Sequence, residues 1–134
     1  VGIRTKLAHD VELLAQADVG REDAPDAAGR RADARTWAGT MATLRWAMTP
    51  HSALVARTEW YADADQVVAS TGTTDPLRAT GGSLGFDRRL GGMLVWRTEA
   101  RALVNREPIF TDRRTASGLS RTNLVAATSL ALSF

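Results

Sequence analysis

Hydrophobic and polar residues alternate with a period of two along most of this chain. The last eleven residues, Leu124 to Phe134, place the three leucines and Phe134 on one parity, and Val125 with small or polar residues on the other. This alternation is typical of a β-strand with one apolar and one polar face. The stretch contains no charge, glycine or proline, so it predicts an uninterrupted final strand.

Six earlier segments alternate in the same way and predict six further strands. They cover Val1 to His9, Val11 to Glu22, Thr36 to Thr49, Ala53 to Asp65, Leu77 to Leu90 and Met93 to Glu107. A helix over Leu7 to Ala17 competes with the second strand, because Leu, Ala, Glu and Gln favour helices. The alternation and the pair Val19-Gly20 favour the strand. Three interior glycines in the fifth segment suit a sharply curved or close-packed strand.

The connections between the predicted strands alternate between short and long. The short ones are His9-Asp10, Pro50 to Ser52 and Gly91-Gly92, and the long ones are Asp23 to Ala34, Gln66 to Pro76 and Pro108 to Ser120. Up-and-down outer-membrane barrels have this asymmetry, with tight periplasmic turns and long external loops. The sequence therefore predicts an all-β, antiparallel, up-and-down transmembrane β-barrel. Seven is an odd number and Val1 begins abruptly, so we expect residues 1–134 to be the C-terminal portion of a larger barrel whose N-terminal strands are missing.

Eight charged residues of the predicted strands fall on the parity opposite the apolar one. A mid-membrane Arg or Lys facing lipid costs about 2–4 kcal/mol, so we expect these side chains to face the lumen. A soluble sandwich would put similar charges into water, but its core would need more bulky residues than the Ala, Thr and Leu found on the apolar parity. The predicted lumen-lining candidates for selectivity are Arg45, Arg57, Glu59, Asp63, Asp87, Arg97, Glu99 and Arg101.

Aromatic residues cluster near the predicted periplasmic ends of strands, on the apolar parity. There they would form an aromatic girdle at the membrane surface, the alternative being ordinary core aromatics. Trp37 and Met41 fall on the lumen parity and do not fit this scheme. The predicted girdle residues are Trp46, Phe86 and Trp96.

Composition limits the classes of function. The chain has no cysteine, which excludes thiol nucleophiles, disulfides and Cys-ligated metals. Its 17 Lys and Arg against 15 Asp and Glu are scattered, without the basic patch that nucleic-acid binding needs. His9 and His51 fall in predicted turns, and no nucleophile elbow, paired-His metal motif or phosphate loop is present. We therefore expect no enzyme, no cofactor, no metal site and no nucleic-acid partner.

One segment carries a resemblance to a known family. Ala56 to Asp65 (ARTEWYADAD), with Arg-x-Glu-aromatic followed by an acidic pair, resembles a strand-to-loop segment of the OmpL-like β-barrel porins. Further similarity runs through Thr5 to Ala8, through Gly82 to Gly85 with the Gly91-Gly92 turn, and from Trp96 to the closing strand. From this resemblance we expect Gly at the position that Gln66 occupies, so Gln66 is a departure from the family pattern.

The resemblance implies a bacterial outer-membrane barrel that forms a diffusion channel in a Gram-negative bacterium. It further implies outer-membrane lipid, the barrel-assembly machinery and small hydrophilic solutes or ions as partners, and it leaves homo-oligomerisation open. Passive transport through a charged lumen is the first hypothesis. A non-transporting structural or surface-binding barrel, with its interior charges paired, is the second. The C-terminal assembly signal would comprise Leu130, Leu132 and Phe134.

Overall fold

The chain folds into an antiparallel sheet whose strands follow one another in sequence. The computed structural model describes residues 1–22 and 34–132. The strands are β1 (Gly2–Lys6), β2 (Val11–Glu22), β3 (Arg35–Thr49), β4 (Ser52–Asp63), β5 (Leu77–Arg89), β6 (Leu94–Asn105), β7 (Phe110–Thr111), β8 (Leu119–Ser120) and β9 (Thr122–Leu132). Seven of them pair in the order β1-β2-β3-β4-β5-β6-β9, while β7 and β8 form a separate small hairpin. Within the described residues β1 and β9 do not pair, so this sheet is not closed into a barrel.

The predicted all-β, up-and-down architecture is confirmed, with differences at strand ends. Strand β1 ends at Lys6 rather than His9, β4 at Asp63 rather than Asp65, and β6 at Asn105 rather than Glu107. The predicted third long loop contains the β7–β8 hairpin, and the competing helix over residues 7–17 is wrong because β2 begins at Val11. Most of the predicted loop at residues 23–34 lies outside the described residues, as does Phe134.

The turn between β5 and β6 is longer than the predicted two residues. Strand pairing stops after Arg89 and Val95, and the Leu90 N–H donates to the Leu94 carbonyl at 2.7 Å. Gly91 reverses the chain with φ +84°, in the left-handed region that glycine adopts without steric cost. The glycine pair therefore marks the turn correctly, while the turn itself covers residues 90–93.

The two faces of the sheet differ in burial, and the difference is the reverse of a soluble protein's. Directly opposed residues of antiparallel strands point to the same side, so the row Arg57–Ser83–Arg101 defines one face, here called the charged face. On the other side, the apolar face, Leu84 is 71% exposed and Leu124 is 77% exposed. All buried residues of the described strands lie on the charged face: Ala53, Glu59, Asp63, Ala79, Ser83, Asp87 and Asn105.

A sheet that curves toward its charged face buries side chains on that face and exposes those on the other.

Residues 1–22 and 34–132 include no helix long and apolar enough to cross a membrane.

Candidate functional site: the charged face

A row of small residues on β5 lets side chains of the flanking strands meet. Gly81, Ser83 and Gly85 alternate along the charged face of β5, between β4 and β6. Above this row, Arg57 Nη2 of β4 donates to Glu99 Oε1 of β6 at 2.8 Å, although the two residues are 42 positions apart. Large side chains on β5 would block this contact. The small row therefore permits ion pairs that span three strands.

Gly81 is the most confined position of that row. A Cβ at Gly81 would lie 2.7 Å from Glu59 Oε1 and 2.5 Å from Leu103 Cδ2, closer than real Cβ contacts. The neighbouring Gly82 points to the apolar face, where the nearest atom to a Cβ is the Arg57 carbonyl oxygen at 3.5 Å. A side chain at position 81 would therefore displace Glu59 or Leu103, whereas one at position 82 would displace neither.

Glu59 is the centre of the largest ion-pair cluster. It is 3% exposed, its Oε1 accepts a hydrogen bond from Arg101 Nε at 2.5 Å, and its Oε2 accepts one from the Tyr61 hydroxyl at 3.0 Å. Arg57 Nε lies 3.9 Å from Glu59 Oε2 and has no hydrogen-bond partner of its own. A buried carboxylate is costly unless it is paired and hydrogen-bonded, and both conditions are met here.

Two further ion pairs follow the charged face toward the short turns. Arg97 Nε and Nη2 bind Asp87 Oδ1 and Oδ2 at 2.7 and 2.9 Å. Arg4 makes the same bidentate contact with Glu12, also at 2.7 and 2.9 Å. This fork geometry is the strongest that arginine forms with a carboxylate.

Arg45 is one of the arginines of the charged face that make no ion pair within the described residues, as are Arg35 and Arg89. Arg45 is exposed and lies opposite Glu12 in the β2–β3 register, where its charge acts on the Glu12 carboxylate without a direct ion pair. Its charge is therefore not neutralised by a bonded carboxylate, unlike the charges of Arg57, Arg97 and Arg101.

Two hollows of the charged face differ in their chemistry. The hollow toward the short turns has a volume of about 380 Å³ and includes Arg45, Asp87, Arg97 and Glu99 in its lining. The hollow toward the long connections has a volume of about 420 Å³. Its lining is mostly apolar and includes Trp37, Met41, Tyr61, Leu103 and the stem of Arg101.

Trp37 and Tyr61 are accommodated on the charged face by cross-strand glycines. Trp37 opposes Gly20 in the register, and its indole ring occupies the space that a Cβ at Gly20 would need. Tyr61 opposes Gly39 and lies 3.3 Å from the position of a Cβ there. Aromatic side chains that cover glycines of a neighbouring strand stabilise such positions. This packing explains why Trp37 lies on the charged parity.

The connection at residues 64–76 folds onto the charged face because of Asp63. Asp63 is buried, with 3% of its surface exposed. Its carboxylate accepts hydrogen bonds from the N–H groups of Val67, Val68 and Ala69 at 2.8, 2.8 and 2.9 Å. Val68 and Ala69 consequently line the 420 Å³ hollow. The structure places Asp63 as an anchor of this connection, whereas the sequence suggested a wall charge.

The Gln66 side chain stabilises the connection at residues 64–76 through hydrogen bonds. The φ of Gln66, +53°, lies in the left-handed region that favours glycine. The Gln66 side chain bonds the segment that follows: Oε1 accepts from the Thr71 N–H at 2.9 Å and Nε2 donates to the Thr73 carbonyl at 2.8 Å. The side-chain hydrogen bonds offset the backbone strain, so the compact connection forms without glycine.

The predicted girdle residues lie on the apolar face near the short turns. Trp46 Nε1 donates to Asp10 Oδ2, and Trp96 Nε1 donates to Thr128 Oγ1, both at 2.8 Å. Phe86 packs edge-to-face on Trp96 with ring centroids 6.1 Å apart. These rings are not in a core: Trp46, for example, is 45% exposed.

The residues of the predicted assembly signal fall in two groups. Leu130 and Leu132 are exposed on the apolar face of β9, and Phe134 lies outside the described residues. Their role in assembly stays a prediction, as does the role of the girdle.

All eight predicted lumen candidates lie on the charged face, but their contribution to selectivity stays a prediction. Sequence reasoning noted the glycines of β5 as a sign of a curved or close-packed strand, but it missed their consequence, the pairing of β4 with β6 side chains. The available signal was the alternation of Gly, Ser and Gly at 81, 83 and 85.

Within residues 1–22 and 34–132, no group of three or more His, Cys, Asp or Glu could hold a metal ion.

An up-and-down antiparallel sheet that pairs charges on its curved inner face and exposes apolar side chains outside has the two surfaces of a β-barrel pore wall. The family described as "Putative beta-barrel porin-2, OmpL-like" matches residues 2–134, and the chain belongs to this family. A search of curated proteins finds no match to the chain, and a search of solved structures finds none either.

Proposed function

We propose that this protein is part of an outer-membrane porin that passes small hydrophilic solutes or ions through a water-filled lumen. The observation that supports this most directly is the reversed burial of the two faces. A sheet that exposes Leu84 and Leu124 while burying Glu59 and Asp63 is unfavourable in water on both sides. It becomes favourable when lipid covers the apolar face and water fills the space inside the charged face.

The length of the apolar face matches the thickness of a bilayer. On β5 the residues of this face begin and end with arginine, at Arg78 and Arg88, and the positions between them carry no charge. Ten residues span about 33 Å along a strand. A strand tilt of about 40° reduces this to about 25 Å along the membrane normal, the height of the apolar band of such barrels.

Placing the apolar face in the bilayer also gives the orientation of the protein and the partners that each end would meet. The short turns, beside Trp46, Phe86 and Trp96, would face the periplasm, and the long connections would lie outside the cell. The C-terminal strand would be the segment read by the barrel-assembly machinery. The role is non-enzymatic, with the solute as the transported species.

Ion selectivity in this proposal depends most on Arg45. Paired charges along the wall largely cancel at the distance of a passing ion, because each carboxylate lies within about 3 Å of a guanidinium. Arg45 has no such bonded partner among the described residues and lines the charged hollow, although Glu12 lies opposite it and binds Arg4. An arginine without a bonded carboxylate favours anions in that hollow.

Planar-bilayer recordings of the full-length protein test the proposal. We expect stable open steps, with the anion preference of the wild-type pore reduced in Arg45→Gln. Arg88→Gln removes the same charge from the apolar parity and should leave the anion-to-cation permeability ratio unchanged. Equal ratios in the wild type and Arg45→Gln would contradict the assignment of Arg45.

A second candidate function is a non-transporting barrel, and two observations favour it. Most charges of the charged face are paired, and residues 67–69 fold over one of its hollows. The same recordings separate the candidates. Absence of conductance from protein that is shown to be inserted would favour the non-transporting barrel.

A further inference from the structure

Two arginines lie side by side at the end of the apolar face that is nearer the long connections. Ala79 and Asn105 are opposed in the β5–β6 register, and the Arg106 N–H donates to the Arg78 carbonyl at 3.3 Å, so Arg78 and Arg106 are the next opposed positions. Asn105 is buried on the charged face, which leaves the alternate positions 78 and 106 on the apolar parity. Both arginines are exposed.

This arrangement brings two positive charges together without a compensating carboxylate. Among the described residues neither Arg78 nor Arg106 makes an ion pair, and the β4 residue opposed to Arg78 is Ala62. Glu107, which follows Arg106 in sequence, binds Arg121 instead, and Asp75, three residues before Arg78, makes no ion pair within the described residues. Like charges directly opposite on neighbouring strands are destabilising. An anion held between the two guanidinium groups would remove this repulsion.

The position of the pair indicates which anion is available. The adjacent row of the apolar face consists of Trp60, Thr80 and Val104, and Trp60 is 43% exposed there. Trp at the end of an apolar band is typical of the membrane interface, where its ring sits at headgroup level. Arg78 and Arg106 lie one row further out, at the level of lipid phosphates. Guanidinium groups bind phosphate oxygens in a bidentate manner.

We propose that Arg78 and Arg106 form a binding site for the phosphate of an anionic lipid headgroup, with Trp60 packing against the same lipid. The site rests on the membrane placement of the proposed function, but it requires no conducting lumen. It ties the outer ends of β5 and β6 to the surrounding lipid.

Thermal unfolding in detergent micelles tests the site with a matched pair of probes. Dioleoylphosphatidic acid carries a phosphate monoester, and dioleoylglycerol has the same acyl chains without it. The full-length protein is titrated with each lipid and, separately, with inorganic phosphate. The variants are Arg78→Gln/Arg106→Gln, Arg78→Lys/Arg106→Lys, and the control Arg113→Gln/Arg114→Gln, which removes two positive charges from the β7–β8 connection.

We expect phosphatidic acid to raise the unfolding temperature of the wild type and of the control, with dioleoylglycerol and inorganic phosphate giving little change. The apparent affinity for phosphatidic acid should fall about tenfold or more in the double Gln variant, since both charge-assisted contacts to the phosphate are lost. The double Lys variant should be intermediate because it keeps the charge without the fork.

Three results would overturn the site. An equal shift in the wild type and the double Gln variant would do so, and so would an equal response to dioleoylglycerol. A response to inorganic phosphate as large as that to phosphatidic acid would show an anion site that does not recognise lipid. None of these results bears on conductance, so failure of the site and failure of the channel proposal remain distinguishable.

Discussion

The apolar face and the charged face of the sheet are built from the same strands, yet their side chains interact in different ways. On the apolar face, large side chains such as Leu84 and Leu124 are exposed and find few partners in the protein. On the charged face, Glu59 is buried and its carboxylate contacts Arg101 and Tyr61. The first face is therefore completed by its surroundings, and the second is completed by the protein itself.

Substitutions on the two faces should therefore destabilise the protein for different reasons. A change on the apolar face acts through the lipid and depends on the polarity and depth of the new side chain. A change on the charged face acts through the loss of specific partners, such as Arg57 with Glu99 across the small row of β5. Matched pairs of substitutions on neighbouring residues can separate the two effects.

The largest expected difference is between two neighbouring alanines at the middle of β9. Ala126 opposes Ala100 on the apolar face, whereas Ala127 opposes Glu99 on the charged face. Ala126→Arg should destabilise the full-length protein in phosphatidylcholine vesicles by about 2–4 kcal/mol, the cost of arginine facing lipid. Ala127→Arg should change stability little, since Glu99 is within reach. Denaturant unfolding followed by tryptophan fluorescence measures both, and equal losses would argue against opposite environments.

The next largest effect concerns the buried carboxylate. Glu59→Gln removes the negative charge that pairs with Arg101 and lies beside Arg57, and we expect a loss of about 2–3 kcal/mol, below the full value for a buried pair because Arg101 is partly exposed. A double-mutant cycle with Arg101→Gln should return a favourable coupling energy. Asp87→Asn is the matched comparison, because its partner Arg97 is 60% exposed and solvent screens that pair, so we expect a smaller loss there than at Glu59. Strictly additive Glu59 and Arg101 losses would contradict a direct pair.

A smaller effect is expected from two adjacent glycines that point to opposite faces. Gly81→Ala inserts a methyl group within 2.7 Å of Glu59 Oε1 and should cost about 1–3 kcal/mol through overpacking. Gly82→Ala points outward with no atom closer than 3.5 Å, so it should be neutral or slightly stabilising. Unfolding free energies of the two variants provide the measurement. A neutral Gly81→Ala would mean that β4 and β6 do not approach closely over β5.

The smallest effect distinguishes backbone strain from side-chain bonding at Gln66. Gln66→Ala keeps the left-handed φ and loses the bonds to Thr71 and Thr73, whereas Gln66→Gly loses the same bonds but relieves the strain. We expect the alanine variant to be less stable than the glycine variant by about 1 kcal/mol. Hydrogen exchange of the amides at residues 67–75 should accelerate most in Gln66→Ala. Identical exchange in the two variants would exclude a contribution from φ.

The sequence predicted the strands and their faces well because both depend on alternation along the chain. Parity alone assigns Arg45 and Arg97 to one face and Trp46 to the other, as the register confirms. Contacts between strands that are not neighbours could not be predicted in this way. The meeting of Arg57 with Glu99 depends on curvature and on the small side chains of β5, and neither follows from the pattern of β4 or β6 alone.

The connection after β4 shows a second limit of sequence reasoning. Asp63 has the parity of a wall charge, so alternation predicted a selectivity residue. Its carboxylate instead accepts three backbone N–H groups of the chain that follows it, which is a local interaction that parity does not encode. Asp side chains commonly bond the backbone a few residues ahead. An acidic residue at the last position of a strand, before a long connection, is the signal that identifies such an anchor.

The most direct test of the central claim, that lipid covers the apolar face and water the charged face, is a spin-label scan of β9 in vesicles. The chain has no cysteine, so single cysteines can carry a nitroxide at each position from 124 to 131 of the full-length protein. Collision rates with oxygen, which concentrates in lipid, and with a water-soluble nickel chelate are then compared. The account predicts oxygen accessibility at 124, 126, 128 and 130 and nickel accessibility at 125, 127, 129 and 131. Nickel accessibility at both parities, or the reverse alternation, would contradict it.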